Sequence, residues 1–79
     1  MHIHLLYFAG LREALGIATE ELELPAGVAT VAALREFLAE RGVPWTTLAT
    51  TKNLRAAVNQ EMAGPDAPLQ AGDEVAFFP

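Results

Sequence analysis

One amphipathic segment constrains the fold of this chain more than any other feature of the sequence. The stretch "TVAALREFLAERG", residues 30–42, starts with a threonine that can N-cap a helix and ends at a glycine that can stop one. Its apolar residues recur at helical spacing, whereas Glu36 and Glu40 line the opposite side. The resulting stripe comprises Val31, Leu34, Leu38 and Arg41, and it is widened by Phe37. A helix with one apolar face has to bury that face, so we expect this one to lie across a sheet.

The segments around this helix have the alternation and the residue types that are typical of strands. The predicted strands are "HIHLLYF" (2–8), "TEELELP" (19–25), "LRAAVNQ" (54–60) and "EVAFF" (74–78), and "AGLREALG" (9–16) is a predicted short helix. In the strand at 19–25 we expect the leucines to face inward and the glutamates outward, at an edge of the sheet. The stretch at 63–73 holds two prolines and two glycines and is predicted to be a turn region. Residues 1–79 are therefore predicted to form a single α+β domain with one main helix packed on one sheet.

The composition excludes several classes of protein. The chain has 79 residues and no cysteine, which rules out disulfides, thiolate metal sites and a cysteine nucleophile. Ten acidic against five basic residues give a net charge of -5, which opposes binding to nucleic acids and to anionic membrane surfaces. No apolar run approaches the roughly 18 residues that span a bilayer. We therefore expect a cytoplasmic protein, and its acidic surface suits a partner with a basic docking face.

The polar residues of the sequence do not assemble a recognisable catalytic or metal site. His2 and His4 share one face of the first predicted strand, but no third ligand of the right type is assigned near them, so we interpret them as surface histidines. The glutamates of "TEELE" are interpreted as the solvated face of a strand rather than as acid–base catalysts. Lys52 is the only lysine, and it lies in a predicted loop rather than in a buried site. We therefore expect neither an active site nor a bound cofactor in this chain.

The two strands nearest the ends of the chain carry more apolar residues than one core face needs. In the last strand, alternation sends Val75 and Phe77 to one face and Phe78 to the other. Phe8 likewise points away from the inward residues of the first strand, so the two strands would form an exposed apolar patch if they were neighbours. Met62 is placed to join that patch. Such a patch predicts a protein interface; the alternatives are isolated surface phenylalanines or a cover of loops.

Several segments resemble the small subunits of molybdopterin synthase, a family of ubiquitin-like sulfur carriers. The resemblance is carried by "LLYFAGLRE" (5–13), "TVAALREFLAERG" (30–42), "AAVNQ" (56–60), "PL" (68–69) and "GDEVAFFP" (72–79). It implies the β-grasp fold, in which one main helix packs across a mixed sheet of four to five strands. It also implies that the first and last strands lie side by side and parallel at the centre of the sheet.

The resemblance further implies a function for the C-terminus. In that family "FFP" leads into a flexible tail that ends in two glycines, and an ATP-dependent adenylyltransferase of the ubiquitin-activating type activates the terminal carboxylate. A sulfur donor enzyme then converts it to a thiocarboxylate. The tail enters the large subunit of a heterotetrameric synthase, where its sulfur is delivered to cyclic pyranopterin monophosphate. The positions that match the family's partner-binding residues are Phe8, Met62, Phe78 and Pro79.

The printed sequence departs from the family pattern at its last residue. It stops at Pro79, where the family's glycine tail begins, and we expect the native gene product to continue beyond that residue. A naturally tailless relative is the alternative on this point. Two other functions stay open: a sulfur carrier for thiamine synthesis or tRNA thiolation, and a non-catalytic ubiquitin-like interaction module.

Overall fold

A computed structural model describes residues 1–79, which form five strands and three helices. In chain order the elements are β1 (His2–Tyr7), α1 (Ala9–Leu15), β2 (Thr19–Glu23), α2 (Val31–Ala39), α3 (Thr47–Thr50), β3 (Arg55–Val58), β4 (Glu61–Ala63) and β5 (Glu74–Phe78). The strands form one sheet in the order β2-β1-β5-β3-β4. The central neighbours β1 and β5 are parallel, whereas the other three pairings are antiparallel. The predicted α+β architecture with a mixed sheet is confirmed.

The helices and the inner face of the sheet enclose one apolar core. Its best-buried members are Ile3, Leu5 and Tyr7 of β1, Val75 and Phe77 of β5, Leu34 and Leu38 of α2, and Leu48 of α3. Leu11 and Leu15 of α1 and Val31 of α2 belong to the same cluster. The predicted inward residues of the first and last strands and the leucines of the long helix are thus confirmed as core. None of the helices is long and apolar enough to cross a membrane.

The main helix is shorter than its sequence pattern predicts. The hydroxyl oxygen of Thr30 accepts a hydrogen bond from the backbone N–H of Ala33 at 3.1 Å, which confirms the predicted N-cap. At the other end α2 stops at Ala39, and the N–H of Gly42 donates to the Ala39 carbonyl at 3.2 Å. Gly42 has a φ of 86°, a value that glycine adopts without a steric penalty. The last predicted turn is therefore a tighter turn that ends on the expected glycine.

A hairpin between β3 and β4 corrects the prediction for residues 54–60. The third strand ends at Val58, and Asn59 and Gln60 form a two-residue turn with φ values of 51° and 70°. Val58 pairs with Glu61 directly across this turn, so the short strand β4 follows at once. Two positive φ values are the mark of a type I′ hairpin turn, for which Asn-Gly is the usual sequence. The sequence pattern did not predict β4, because glutamine occupies the position of the turn at which glycine is usual.

The prediction that all glutamates of β2 face outward is wrong for Glu20. This residue pairs with the core residue Leu5, so its side chain lies on the helix side of the sheet. There its carboxylate accepts two hydrogen bonds from Arg41, at 3.0 and 2.7 Å, and one from the Tyr7 hydroxyl at 3.2 Å. The Arg41 guanidinium also lies 4.5 Å from the ring centroid of Trp45. Because Glu20 sits at the edge of the inner face, this network joins β2 to the end of the main helix.

Burial and hydrogen bonding in this network shift two pKa values. Desolvation, reinforced by the charge of Glu20, raises the pKa of the Tyr7 phenol well above its usual value. The hydrogen bonds to Glu20 raise the pKa of the Arg41 guanidinium. Both groups are protonated at neutral pH in any case, and the shifts move their deprotonation further from it.

Candidate protein-interaction surface

The face of the sheet opposite the helices is the candidate functional surface, and we call it the open face. Fourteen buried apolar residues form the helix-side core, and the remaining buried residue, Ala76, does not belong to that cluster. Ala76 is 8% exposed because its neighbours on the open face cover it, and no helix does. The pairing registers place side chains on this face in three rows that run across the strands.

The middle row of the open face is uncharged and mostly apolar. Leu6 of β1 pairs with Ala76 of β5, which pairs with Ala57 of β3, which in turn pairs with Met62 of β4. Met62 is 65% exposed, a large fraction for a methionine in a sheet. The two residues in the centre of the row are alanines, which are smaller than the flanking Leu6 and Met62. A row of this kind offers a partner apolar surface without any charge to desolvate.

The second row lies where β5 ends, and we call this side of the open face the exit end. Tyr7 and Phe77 are paired, so the next residues, Phe8 and Phe78, stand side by side on the opposite face. Phe8 is 47% exposed and Phe78 is partly exposed. Across the other edge of β5, Phe78 pairs with Arg55, whose side chain is exposed. The row is therefore two aromatic rings followed by one cation.

Pro79 leaves the sheet from this row. The N–H of Phe8 donates to the carbonyl of Phe77 at 3.2 Å, which holds the end of β5 against the start of α1. The exposed Pro79 follows directly, between β1 and β3 rather than at an edge of the sheet. Any chain that continued beyond Pro79 would thus leave from the centre of the sheet, beside both phenylalanines.

The third row, at the other end of the strands, is polar. Both carboxylate oxygens of Glu21 are engaged, one by His2 and one by His4, each at 2.5 Å. These hydrogen bonds, that of His4 first, lower the pKa of the Glu21 carboxyl. Glu74 pairs with His4 on the far side and belongs to the same row, and Glu23 pairs with His2 at its margin. The predicted surface histidines are thus hydrogen-bonded to a glutamate that the sequence analysis left as a solvated residue.

Asn59 links the turns that precede β4 and β5, the strands that carry Met62 and Phe78. Its side-chain amide donates to a carboxylate oxygen of Asp73 at 2.9 Å, and its side-chain oxygen accepts from the N–H of Glu74 at 3.0 Å. The second oxygen of Asp73 accepts from the N–H of Gln70 at 2.7 Å. Side-chain hydrogen bonds therefore connect the turns before β4 and before β5.

The buried side chains are hydrophobic, and no buried polar side-chain atom lacks a hydrogen-bond partner. The hydroxyl of the buried Tyr7 donates to Glu20. The larger of two surface grooves, of about 450 Å³, lies at the β4 edge and is bounded by Met62, Pro68 and Gln70. The groove adjoins the open face, so Met62 contributes to both.

The structure brings three of the predicted partner-binding residues to one surface. Phe8, Met62 and Phe78 all lie on the open face, with Pro79 at its exit end. Their role in binding stays a prediction. Arg55 was not singled out in the sequence, because nothing in a four-residue strand signals which residue across the sheet it will meet.

Comparison with known proteins identifies the family. The model of the ThiS family matches residues 5–79. The molybdopterin synthase sulfur carrier subunit of Escherichia coli (strain K12) is 44% identical over 77 residues, which cover 98% of this chain and 93% of the relative. The Haemophilus influenzae protein of the same name is 35% identical over the same span.

Solved structures agree on the fold. A candidate subunit 1 of the molybdopterin converting factor from Pyrococcus furiosus has a TM-score of 0.83 at 30% identity, over 100% of this chain and 97% of that one. The small archaeal modifier protein 1 of Haloferax volcanii has a TM-score of 0.80 at 26% identity, over 100% and 94%. The predicted ubiquitin-like β-grasp fold is confirmed. The chain belongs to the ThiS family, and the two curated relatives described above are sulfur carrier subunits of molybdopterin synthase.

Proposed function

We propose that this chain is the sulfur carrier subunit of a molybdopterin synthase and acts in molybdenum cofactor biosynthesis. The observation that carries the proposal is the position of Pro79. It leaves the central strand beside Phe8 and Phe78, on the only face of the sheet that no helix covers. The 44% identity to a carrier subunit over nearly the whole chain supports the same function.

The chemistry would take place on a tail beyond Pro79, outside the folded domain. A terminal carboxylate attacks the α-phosphate of ATP and releases pyrophosphate, which turns an unreactive group into an acyl adenylate. The terminal sulfur of a donor-enzyme persulfide then attacks the acyl adenylate and displaces AMP, which gives an acyl disulfide. A second thiol attacks the donor-side sulfur, forms a disulfide with it and releases the thiocarboxylate on the tail. Glycines suit such a tail because they lack the Cβ that would obstruct a narrow channel. In this scheme the folded domain binds no cofactor, and ATP belongs to the activating enzyme.

The folded domain would contribute the docking surface. Apolar side chains on the open face provide contact area with little desolvation cost, and the two phenylalanines are of the residue type that dominates binding energy at interfaces. The large subunit of the synthase is the partner that the relatives' name implies. The adenylyltransferase and the sulfur donor enzyme are further proposed partners, which would use the same tail in turn.

Two measurements test the carrier function directly. The intact mass of the native gene product should show two glycines at the end of a tail that follows Pro79. Incubation with the adenylyltransferase, ATP and the sulfur donor should then add the mass that results from replacing one carboxylate oxygen by sulfur. Adding the large subunit and cyclic pyranopterin monophosphate should yield molybdopterin. A native product that ends at Pro79 would refute the carrier function.

A matched pair of variants tests the docking surface. Phe78→Asp places a charge in the second row of the open face, and we expect it to abolish binding to the large subunit while the fold remains intact. Val43→Asp is the control, because Val43 is 88% exposed in the loop after α2 and away from the open face. If Phe78→Asp binds as the control does, the interface assignment is wrong. If it fails to fold, Phe78 belongs to the core.

The likeness to small archaeal modifier protein 1 favours a second candidate function, in which the activated tail is joined to other proteins. The same activated chain distinguishes the two. Covalent adducts that survive reducing agent and contain the tail would indicate protein modification, whereas sulfur transfer to cyclic pyranopterin monophosphate without adducts supports the synthase subunit. Sulfur transfer to a thiamine or tRNA precursor instead would identify a different acceptor pathway.

A further inference from the structure

Charges on the open face are segregated along the direction of the strands. The exit end carries one cation, Arg55, and no carboxylate in its row of Phe8, Phe78 and Arg55. The opposite end carries the carboxylate of Glu74, which takes part in none of the side-chain hydrogen bonds or ion pairs, and that of Glu21, which is hydrogen-bonded to His2 and His4. Glu23, at the margin, is paired with the N-terminal ammonium at 3.0 Å. Between them lies the uncharged row that runs from Leu6 to Met62.

The cation at the exit end is free to bind a partner. Two of the other arginines are committed within the fold: Arg35 donates to the Leu48 carbonyl at 2.7 and 3.1 Å, and Arg41 is paired with Glu20. Arg55 is exposed and takes part in none of the side-chain hydrogen bonds or ion pairs of the structure. An unpaired guanidinium next to an aromatic ring presents a planar donor group that matches a carboxylate.

The two ends act as separate electrostatic poles. Phe78, which is level with Arg55, and Glu74 lie four residues apart on β5, and a strand rises about 3.3 Å per residue, so the poles are about 13 Å apart. The Debye length at physiological ionic strength is about 8 Å. Each pole therefore acts mainly on groups of a partner that lie close to it, and the two do not cancel.

We infer that this polarity sets the orientation in which the open face docks. The inference rests on the proposed function, because its occupant is the partner that receives the tail. That partner carries a carboxylate beside the entrance of its tail channel, opposite Arg55. It carries basic groups about 13 Å away, opposite Glu21 and Glu74, on the strand spacing above.

The middle row by itself gives no orientation signal, and the charges at its two ends add to the asymmetry that Phe8 and Phe78 give the exit end. Apolar contact is non-directional, and a row that runs across the strands buries the same area when the partner is turned end for end. Turned in that way, the partner's tail channel would lie at the wrong end of β5. Charged groups at the two ends penalise the reversed arrangement, because like charges would then face each other.

Charge reversals test the inference. Arg55→Glu and Glu74→Lys should each weaken binding to the large subunit from the same source by about tenfold or more, since each replaces an attraction by a repulsion. The double variant restores the net charge of -5, because one substitution removes two units of charge and the other adds two. We expect the double variant to bind more weakly than either single variant, although its net charge is that of the wild type. Glu36→Lys, on the exposed side of α2, is the control and should leave the affinity unchanged or slightly higher.

Two results would refute the inference about the docking orientation. If Glu36→Lys and Glu74→Lys have equal effects, the partner responds to net charge alone and the inference is wrong. Wild-type affinity in the double variant also refutes it. Circular dichroism of each variant checks that the fold is retained. The proposed function fails separately: in that case the wild-type chain does not bind the large subunit at all, or binds it without sulfur transfer.

Discussion

Replacing Phe77 or its neighbour Phe78 by alanine compares the stability contributed by the two faces of the sheet. Phe77 is 0% exposed and pairs with Tyr7 and Ala56 on the core face, whereas Phe78 is partly exposed on the open face. Truncating a buried phenylalanine to alanine costs about 3–5 kcal/mol through lost burial and the cavity that remains. A chain of 79 residues has a free energy of unfolding of about 4–12 kcal/mol in total. Phe77→Ala should therefore remove about a quarter or more of the stability.

The same substitution one residue later should have a small effect. Phe78→Ala leaves no enclosed cavity, since no helix covers the open face, and we expect a cost of about 1 kcal/mol or less. In a domain of this size, 1 kcal/mol shifts Tm by roughly 4–8 °C. The predicted loss is thus at least about 12 °C for Phe77→Ala and below about 8 °C for Phe78→Ala.

Thermal and urea unfolding can be followed by circular dichroism and by the fluorescence of Trp45, the single tryptophan. Its indole packs edge-on against Tyr7, with ring centroids 5.7 Å apart, so it reports on the core near β1. Val43→Ala serves as the exposed control and should leave Tm unchanged. If Tm falls equally in Phe77→Ala and Phe78→Ala, both side chains are buried and the assignment of the two faces is wrong.

Three further predictions concern the polar parts of the fold. Hydrogen bonds to His4 and His2 lower the pKa of Glu21. The stability that this carboxylate contributes is therefore present above its unfolded pKa of about 4.5 and is lost as the pH falls through its folded pKa. Glu21→Gln should make the free energy of unfolding depend less on pH in that acidic range. Gln60→Gly should raise the free energy of unfolding by about 0.5 kcal/mol, because glycine adopts positive φ freely; a lower urea midpoint would contradict the type I′ turn. Asn59→Ala should cost about 1–3 kcal/mol in the same assay, because it removes two exposed hydrogen bonds and places alanine at a φ of 51°, which asparagine tolerates better. An unchanged midpoint would show that the two turns are not coupled.

The residues that face the core were predictable from local periodicity. Strand residues alternate between faces, so the assignment of Phe77 to the core and Phe78 to the other side needed only one well-placed strand. The same rule assigned Phe8, because the extended backbone continues through that residue, with a φ of -120° and a ψ of 156°. The helix stripe and its N-cap followed from helical spacing in the same way.

The sequence pattern predicted the turns and the edge residues of the sheet less well. The hairpin at Asn59 and Gln60 lacks the glycine that announces such turns, so β4 was missed. Glu20 was placed outside because a charged residue in an exposed strand is usually solvated. Its inward position is stabilised by Arg41, which lies in the turn after α2 and is 21 residues away in sequence.

Local periodicity was enough to tell which side of the main helix and of the two central strands is buried, because that choice depends on spacing within a few residues. It left strand order open, and the family resemblance supplied the adjacency of the first and last strands. The neighbours on the open face came from the pairing of the strands: Ala76 is enclosed between Leu6 and Ala57, and Arg55 lies beside Phe78. The physical reason is that apolar burial has no preferred direction, so periodicity reports that a residue is covered but not by what. Backbone hydrogen bonds between strands that are distant in the chain set the neighbours, and with them the charge pattern around the point where Pro79 leaves the sheet.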